Sequence, residues 1–222
     1  MKKTIVVLSG GLDSTTLLYK IVSESYDPRN VKAISFNYGQ RHSKELEMAK
    51  ETCKKLGVEH RIEDLTNLKG LLSGSALTDD IEVPEGHYAD ENMKATVVPN
   101  RNAIMANIAI GWAVALDFDR VALGVHAGDH AIYPDCRPVF IKALAVLAEV
   151  ANYKAIEIYT PFLYFSKGQI ISAGKQFNVD YSLSWTCYKG EQKACGKCGS
   201  CVERKEAFEV NGMEDPLIYE EA

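Results

Sequence analysis

Residues 5–8 form an unbroken apolar run, mostly β-branched, which predicts a buried strand. Leu17, Leu18, Ile21 and Val22 then recur at helical spacing and predict a helix over 13–24. After a turn rich in Asp, Pro and Asn, residues 31–38 alternate as a second strand. Ser43 reads as the cap of a helix whose stripe is Leu46, Ala49, Cys53 and Leu56, ended by Gly57. A third strand is expected over 59–65. Residues 66–99 show little periodicity and many turn signals, as expected of a mobile flap. An apolar helix over 103–116, expected to be largely buried, precedes a strand over 120–125. Pro138 opens an amphipathic helix over 139–150, a fifth strand covers 155–160, and Ser166 to Gln169 starts another helix. A last helix runs through Glu209. Strand, helix and strand with short returns imply right-handed parallel units. The expected class is α/β, a parallel five-stranded sheet flanked by helices over 1–180, with a small lobe over 181–222.

Composition narrows the setting. The 222 residues are 46% hydrophobic and 25% charged, enough for one sizeable core. No apolar run approaches the ~18 residues of a membrane span, so a cytoplasmic location is expected. A net charge of −5 argues against broad electrostatic binding of nucleic acid, leaving small molecules as the expected partners. In a reducing compartment, those of the six cysteines that cluster point to metal or catalysis.

The chemistry begins between the first strand and helix, at Ser9-Gly10-Gly11-Leu12-Asp13-Ser14-Thr15. Two glycines let the backbone turn tightly so that N–H groups converge on an anion, and hydroxyls add donors. A Walker loop or a dinucleotide fingerprint would need other spacings. SGG-x-DS after a strand resembles the pyrophosphate loop of the ATP pyrophosphatases, where Asp13 would hold Mg²⁺ through water. Arg101 and Lys167 each stand at a helix start, where the dipole disfavours a cation unless an anion is near. Residues 126–138 hold His126, Asp129, His130, Tyr133, Asp135, Cys136 and Arg137 beyond a strand's carboxyl end, the place for recognising a heteroaromatic ring. A metal set of His126, Asp129 and His130 competes, although Gly128 argues against the helix it needs.

Cys187, Cys195, Cys198 and Cys201, spaced C-x7-C-x2-C-x2-C, match a tetrahedral structural Zn²⁺, one per chain. Lys189, Lys193, Lys197, Arg204 and Lys205 would offset its negative charge. An iron–sulfur cluster and a redox CxxC pair are the rivals.

Taken together, SGGLDST, NYGQRH at 37–42, PNRN at 99–102, GVHAGDHAIYPDCR at 124–137, TP and SK between 160 and 167, and the four cysteines resemble the 7-cyano-7-deazaguanine synthase family. The similarity spans essentially the whole chain. It implies a Rossmann-like fold of the adenine nucleotide α-hydrolase type and a homodimer. The implied reaction joins 7-carboxy-7-deazaguanine and ammonia, using ATP with Mg²⁺, through an adenylated intermediate. Under the resemblance ATP is bound by Leu8, Ser9, Gly10, Gly11, Leu12, Asp13, Ser14, Thr15, Thr16, Leu17 and Leu18, with Asn37, Tyr38, Gln40, Arg41 and His42. Asp13, Arg101 and Lys167 would be catalytic. Gly124, His126, Asp129, Tyr133, Pro134, Asp135 and Cys136 would bind the deazaguanine, Asp135 accepting from its guanine-like edge and Cys136 serving as wall. A tRNA-modifying sulfurtransferase, a relative that attaches a deazaguanine to protein or DNA, and a zinc-bearing nucleotide sensor are the alternatives.

Overall fold

The structure is a computed structural model describing residues 2–25, 27–41, 44–189 and 191–220. Five parallel strands lie in the order β3-β2-β1-β4-β5, with β1 Thr4–Val7, β2 Val31–Asn37, β3 Glu59–Asp64, β4 Arg120–Ala122 and β5 Glu157–Tyr159. Side chains alternate across a strand, so Ile5 enters one apolar layer while Val6 enters the other. The first layer packs the sheet against α3 (Arg101–Ala115) and α4 (Pro138–Val150) through Ile110, Ala113, Ile141 and Leu144. The second packs it against α1 (Leu12–Glu24), α2 (Lys44–Leu56), α5 (Lys167–Gln176) and α6 (Gly199–Glu209), through Leu17, Leu18, Ala49, Ile170 and Phe208. Coverage on both faces explains why β1 carries no polar alternation. β3 lies at the sheet edge, where Glu59 and Arg61 face solvent.

Strand order reverses about β1, whose neighbours are β2 and β4. In open sheets such a switch opens a crevice beyond the carboxyl ends of the strands. The crevice here lies beyond Val7, Asn37 and Ala122.

Three expectations need correction. Residues 66–99 are a docked wall rather than a free flap: Leu72, Ala76, Leu77, Val83, Met93 and Val98 are buried. Ala76 N–H donates to the Ala95 carbonyl at 2.7 Å and Gly86 N–H to that of Lys197 at 3.1 Å. α3 is buried on one face only, with Asn107 and Gly111 exposed. Arg204 is no counter-charge at the cysteines; it is wholly buried, and its guanidinium donates to Asp215 at 2.9 Å and to the Ser184 and Tyr181 carbonyls. That buried pair ties α6 to the chain's last turn. The expected Ser43 cap lies outside the described residues.

Candidate active site

The loop after β1 turns on Gly10, whose φ of +91° is left-handed. A Cβ there would stand 1.9 Å from the Glu45 carbonyl oxygen, so only glycine fits against α2. Ser14 Oγ takes the Ser9 N–H at 3.1 Å and lies 3.0 Å from Ser9 Oγ, which draws the loop over the start of α1. First-turn N–H groups have no partner within a helix, and Leu12, Asp13 and Ser14 of that turn line the crevice. Gly124 closes the other side: a Cβ on it would touch the Ser14 backbone at 3.1 Å.

The cavity has two unlike ends. Around Ser9, Gly11, Asp13 and Ser14 it is polar, and Asp129, Lys167 and Glu203 complete that end. Lys167, in the first turn of α5, is buried with its Nζ 2.5 Å from Glu203 Oε2 and 3.5 Å from Asp13 Oδ2. Burial works against its charge, but Asp13, Glu203 and Asp129 together hold it protonated. The opposite end is aromatic and apolar, lined by Phe36, Tyr38, Met105, Tyr133, Cys136 and Tyr188. Arg101 also lines the cavity, its Nη1 donating to Tyr38 Oη at 3.2 Å.

Leu8, Leu12 and Gln40 also line this cavity. Among the described residues, the rest of the expected ATP set does not. Leu17 and Leu18 are core, Thr15 is wholly buried, and Thr16 Oγ1 is engaged by the Leu12 carbonyl at 2.9 Å and by Tyr181 Oη at 3.0 Å. Asn37 Oδ1 accepts the Gly39 N–H, and Arg41 pairs with Asp80 at 2.6 Å and with the Ile81 carbonyl, pinning the 66–99 wall. These residues build the loop's supports. His42 lies outside the described residues.

On the substrate side, Asp135 is engaged by a neighbouring helix. Its Oδ2 accepts the Asn102 N–H at 2.9 Å, satisfying an orphan donor at the start of α3, and it does not line the cavity. Pro134 is exposed and also off the wall. His126 is buried behind the site. Its Nδ1 accepts the Gly128 N–H at 3.1 Å, so Nε2 carries the proton and faces Asp129 at 3.5 Å and Asp13 at 3.6 Å. Nε2 lies near both carboxylates but forms no hydrogen bond among the described residues. Cys136 accepts from Asn102 Nδ2 at 3.3 Å, and burial pushes its thiol well above the usual range, which suits a wall and not a nucleophile.

Glu45 is a wall residue the sequence did not disclose. Burial pushes its carboxyl up to about 8; Arg101 and Lys167 pull it down and Asp13 pushes it further up. Protonated at neutral pH, it leaves the loop free of one more negative charge. The folded state therefore holds this proton more tightly than an unfolded chain with a carboxyl near 4.5. Its contribution to stability is complete below that pH and is lost as pH rises through about 8. Glutamine mimics the protonated carboxyl, so thermal midpoints of the ligand-free protein and of Glu45→Gln should agree at the acid end of that window and separate at its alkaline end, where the wild type loses stability and the variant does not.

Cys187, Cys195, Cys198 and Cys201 are all buried, and their Sγ atoms lie within 4.8 Å of one another. Among the described residues no other such group forms. Backbone N–H groups of Cys195, Lys197 and Cys198 point at these sulfurs at 3.3–3.5 Å, donors that favour thiolates. The cluster abuts the cavity: Tyr188 follows one ligand, and Gly199, Ser200 and Glu203 sit around the last.

Known proteins match this chain along nearly its whole length. The family model described as "Queuosine biosynthesis protein QueC" matches residues 3–212. The 7-cyano-7-deazaguanine synthase of Pseudoalteromonas atlantica is 54% identical over 220 residues, 99% of this chain and 100% of that protein. That of Hahella chejuensis is 54% identical over 218 residues, 98% of this chain and 93% of its own. Among solved structures, the U34-tRNA thiolase NcsA from Methanococcus maripaludis with its [4Fe-4S] cluster shares the fold at a TM-score of 0.51 and 19% identity, over 95% of this chain and 65% of that one. The chain belongs to the QueC family of queuosine biosynthesis proteins.

Proposed function

We propose that this protein is an ATP-dependent ligase that converts 7-carboxy-7-deazaguanine and ammonia into 7-cyano-7-deazaguanine. The observation that carries this reading is the two-ended cavity, with an anion cup and a buried lysine at one end and an aromatic slot at the other. Ser9 to Ser14 would grip the β and γ phosphates, leaving the α phosphorus open toward the slot. The substrate carboxylate attacks it and pyrophosphate leaves. Lys167 and Arg101 stabilise the charge that builds on the α phosphate. Ammonia then displaces AMP to give the amide. A second ATP activates the amide oxygen, and loss of that oxygen with AMP, together with two protons, leaves the nitrile.

Asp13 Oδ1 is buried and, among the described residues, has no hydrogen-bond partner, which suits a carboxylate awaiting a cation. Mg²⁺ held there would neutralise phosphate charge. The four cysteines fit one tetrahedral ion, since bonds of about 2.3 Å set sulfurs roughly 3.8 Å apart. We assign Zn²⁺ because an iron–sulfur cluster spreads four cysteines over two or four irons and needs wider spacing than these sulfurs show. α4 exposes Val139, Val146 and Val150, the face we assign to a homodimer. No helix among the described residues is long and apolar enough to cross a membrane, in keeping with work in the cytoplasm.

Mass spectrometry of a reaction containing the metal-loaded protein, ATP, ammonium and the carboxylate tests the assignment. The expected products are the nitrile and two AMP for each. Formation of ADP and orthophosphate, or a deazaguanine found attached to protein or DNA, would overturn it.

A further inference from the structure

Glu203 belongs to no motif of the phosphate loop, yet its carboxylate is the nearest partner of Lys167. Both side chains are nearly buried, at 10% and 8% exposure, and their 2.5 Å separation is shorter than the 3.5 Å from Lys167 to Asp13. The carboxylate reaches across to the loop after β4, where a Cβ on Gly128 would stand 2.3 Å from Glu203 Oε1. Glu203 lies on α6 two residues past Cys201, and Cys198 caps that helix. Residues four apart share a helix face, so Gly199 and Glu203 both line the cavity while Cys198 and Cys201 hold the ion on the adjoining face.

We propose that Glu203 is a positioning residue for Lys167, and that the four-cysteine centre acts on the reaction by fixing where α6 places that carboxylate. The inference rests on the role given above to Lys167. A buried ammonium at the start of α5 is opposed by the helix dipole and needs an acidic partner. Asp13 is within reach, but a lysine drawn fully onto Asp13 would sit at the β and γ phosphates and mask the carboxylate meant for a cation. Glu203 draws the ammonium to the other side, toward the α phosphate. As charge builds on that phosphate, Lys167 turns from Glu203 to it.

Full-length, metal-loaded protein carries the test, in the wild type, Glu203→Gln, Glu203→Asp, Lys167→Ala and the Lys167→Ala, Glu203→Gln pair. Glutamine keeps the shape and removes the charge. It should lower kcat about 10- to 100-fold, as loss of such supporting contacts does, with KM for ATP and for the deazapurine acid and zinc content essentially unchanged, and with a lowered thermal midpoint, as removal of one member of a buried ion pair requires. Aspartate should restore part of the loss. In the Lys167→Ala background Glu203→Gln should cost nothing further, because the two side chains act as one unit. Multiplicative losses in the pair, an unaltered kcat in Glu203→Gln, or loss of zinc from it would overturn the proposal. Wild-type kcat in Lys167→Ala would instead remove the reading beneath it.

Discussion

Lys167→Ala is expected to lower kcat by about 10²–10³, the usual cost of deleting one preorganised donor to a developing anion, near 2.7–4 kcal/mol. The lysine is placed for the transition state and not for the ground state. It faces the carboxylates of Glu203 and Asp13, and the grip on the nucleotide is expected to come from the loop backbone. KM for ATP should consequently move little, the signature of an interaction realised only as the reaction proceeds. Lys167→Arg keeps the charge on a wider, planar head that the enclosed space does not fit, and it should recover only part of the rate. Thermal midpoints belong beside the kinetics. Removing the ammonium leaves two carboxylates facing each other at a buried position, and the variant should melt earlier than the wild type. A kcat close to that of the wild type would contradict the placement of this side chain.

The second large effect concerns the metal. Cys198→Ser is expected to leave the protein without its ion and to unfold the C-terminal lobe. Structural zinc contributes about 10–16 kcal/mol of apparent binding free energy, as much as whole domains commonly have in stability, about 5–15 kcal/mol. A chain of this size shifts by about 2–4 °C in thermal midpoint per kcal/mol. Even a third of that binding energy therefore lowers the midpoint by about 10 °C. Activity should vanish along with the metal, because Tyr188, Ser200 and Glu203 reach the cavity only when the cysteines gather. Elemental analysis and thermal denaturation read the two halves separately. An active, stable variant with no metal would refute the structural role.

How much of this was legible in the sequence follows from the range of each interaction. β1, α1 and the glycine turn between them are local: β-branched residues, a helical stripe and a left-handed Gly10 need nothing distant to be recognised. The cysteine spacing is equally local, and so is the Ser166 cap, which closes a reciprocal box with Gln169. The bond Asp135 makes was not legible because its partner, the Asn102 N–H, lies 33 positions away and a carboxylate in a polar loop looks available. Thr16, Leu17 and Leu18 follow the phosphate loop in sequence, yet a helix turns 100° per residue and carries them from the cavity into the core. Glu45, Tyr88, Tyr188 and Glu203 were missed because they reach the site from four separate segments that only the fold assembles. Glu203 had one local signal. It falls four residues after Gly199 at the start of a helix, the same face as a glycine that admits close approach.

The central claim is that the substrate carboxylate itself attacks the α phosphorus. Isotope transfer reads that bond directly. The deazapurine acid, with ¹⁸O in both carboxylate oxygens, is turned over with ATP and ammonium and the phosphorus products are analysed by mass. The account requires each AMP to carry one heavy oxygen while pyrophosphate carries none. Heavy oxygen in pyrophosphate or orthophosphate, or a nitrile formed with unlabelled AMP, would contradict it.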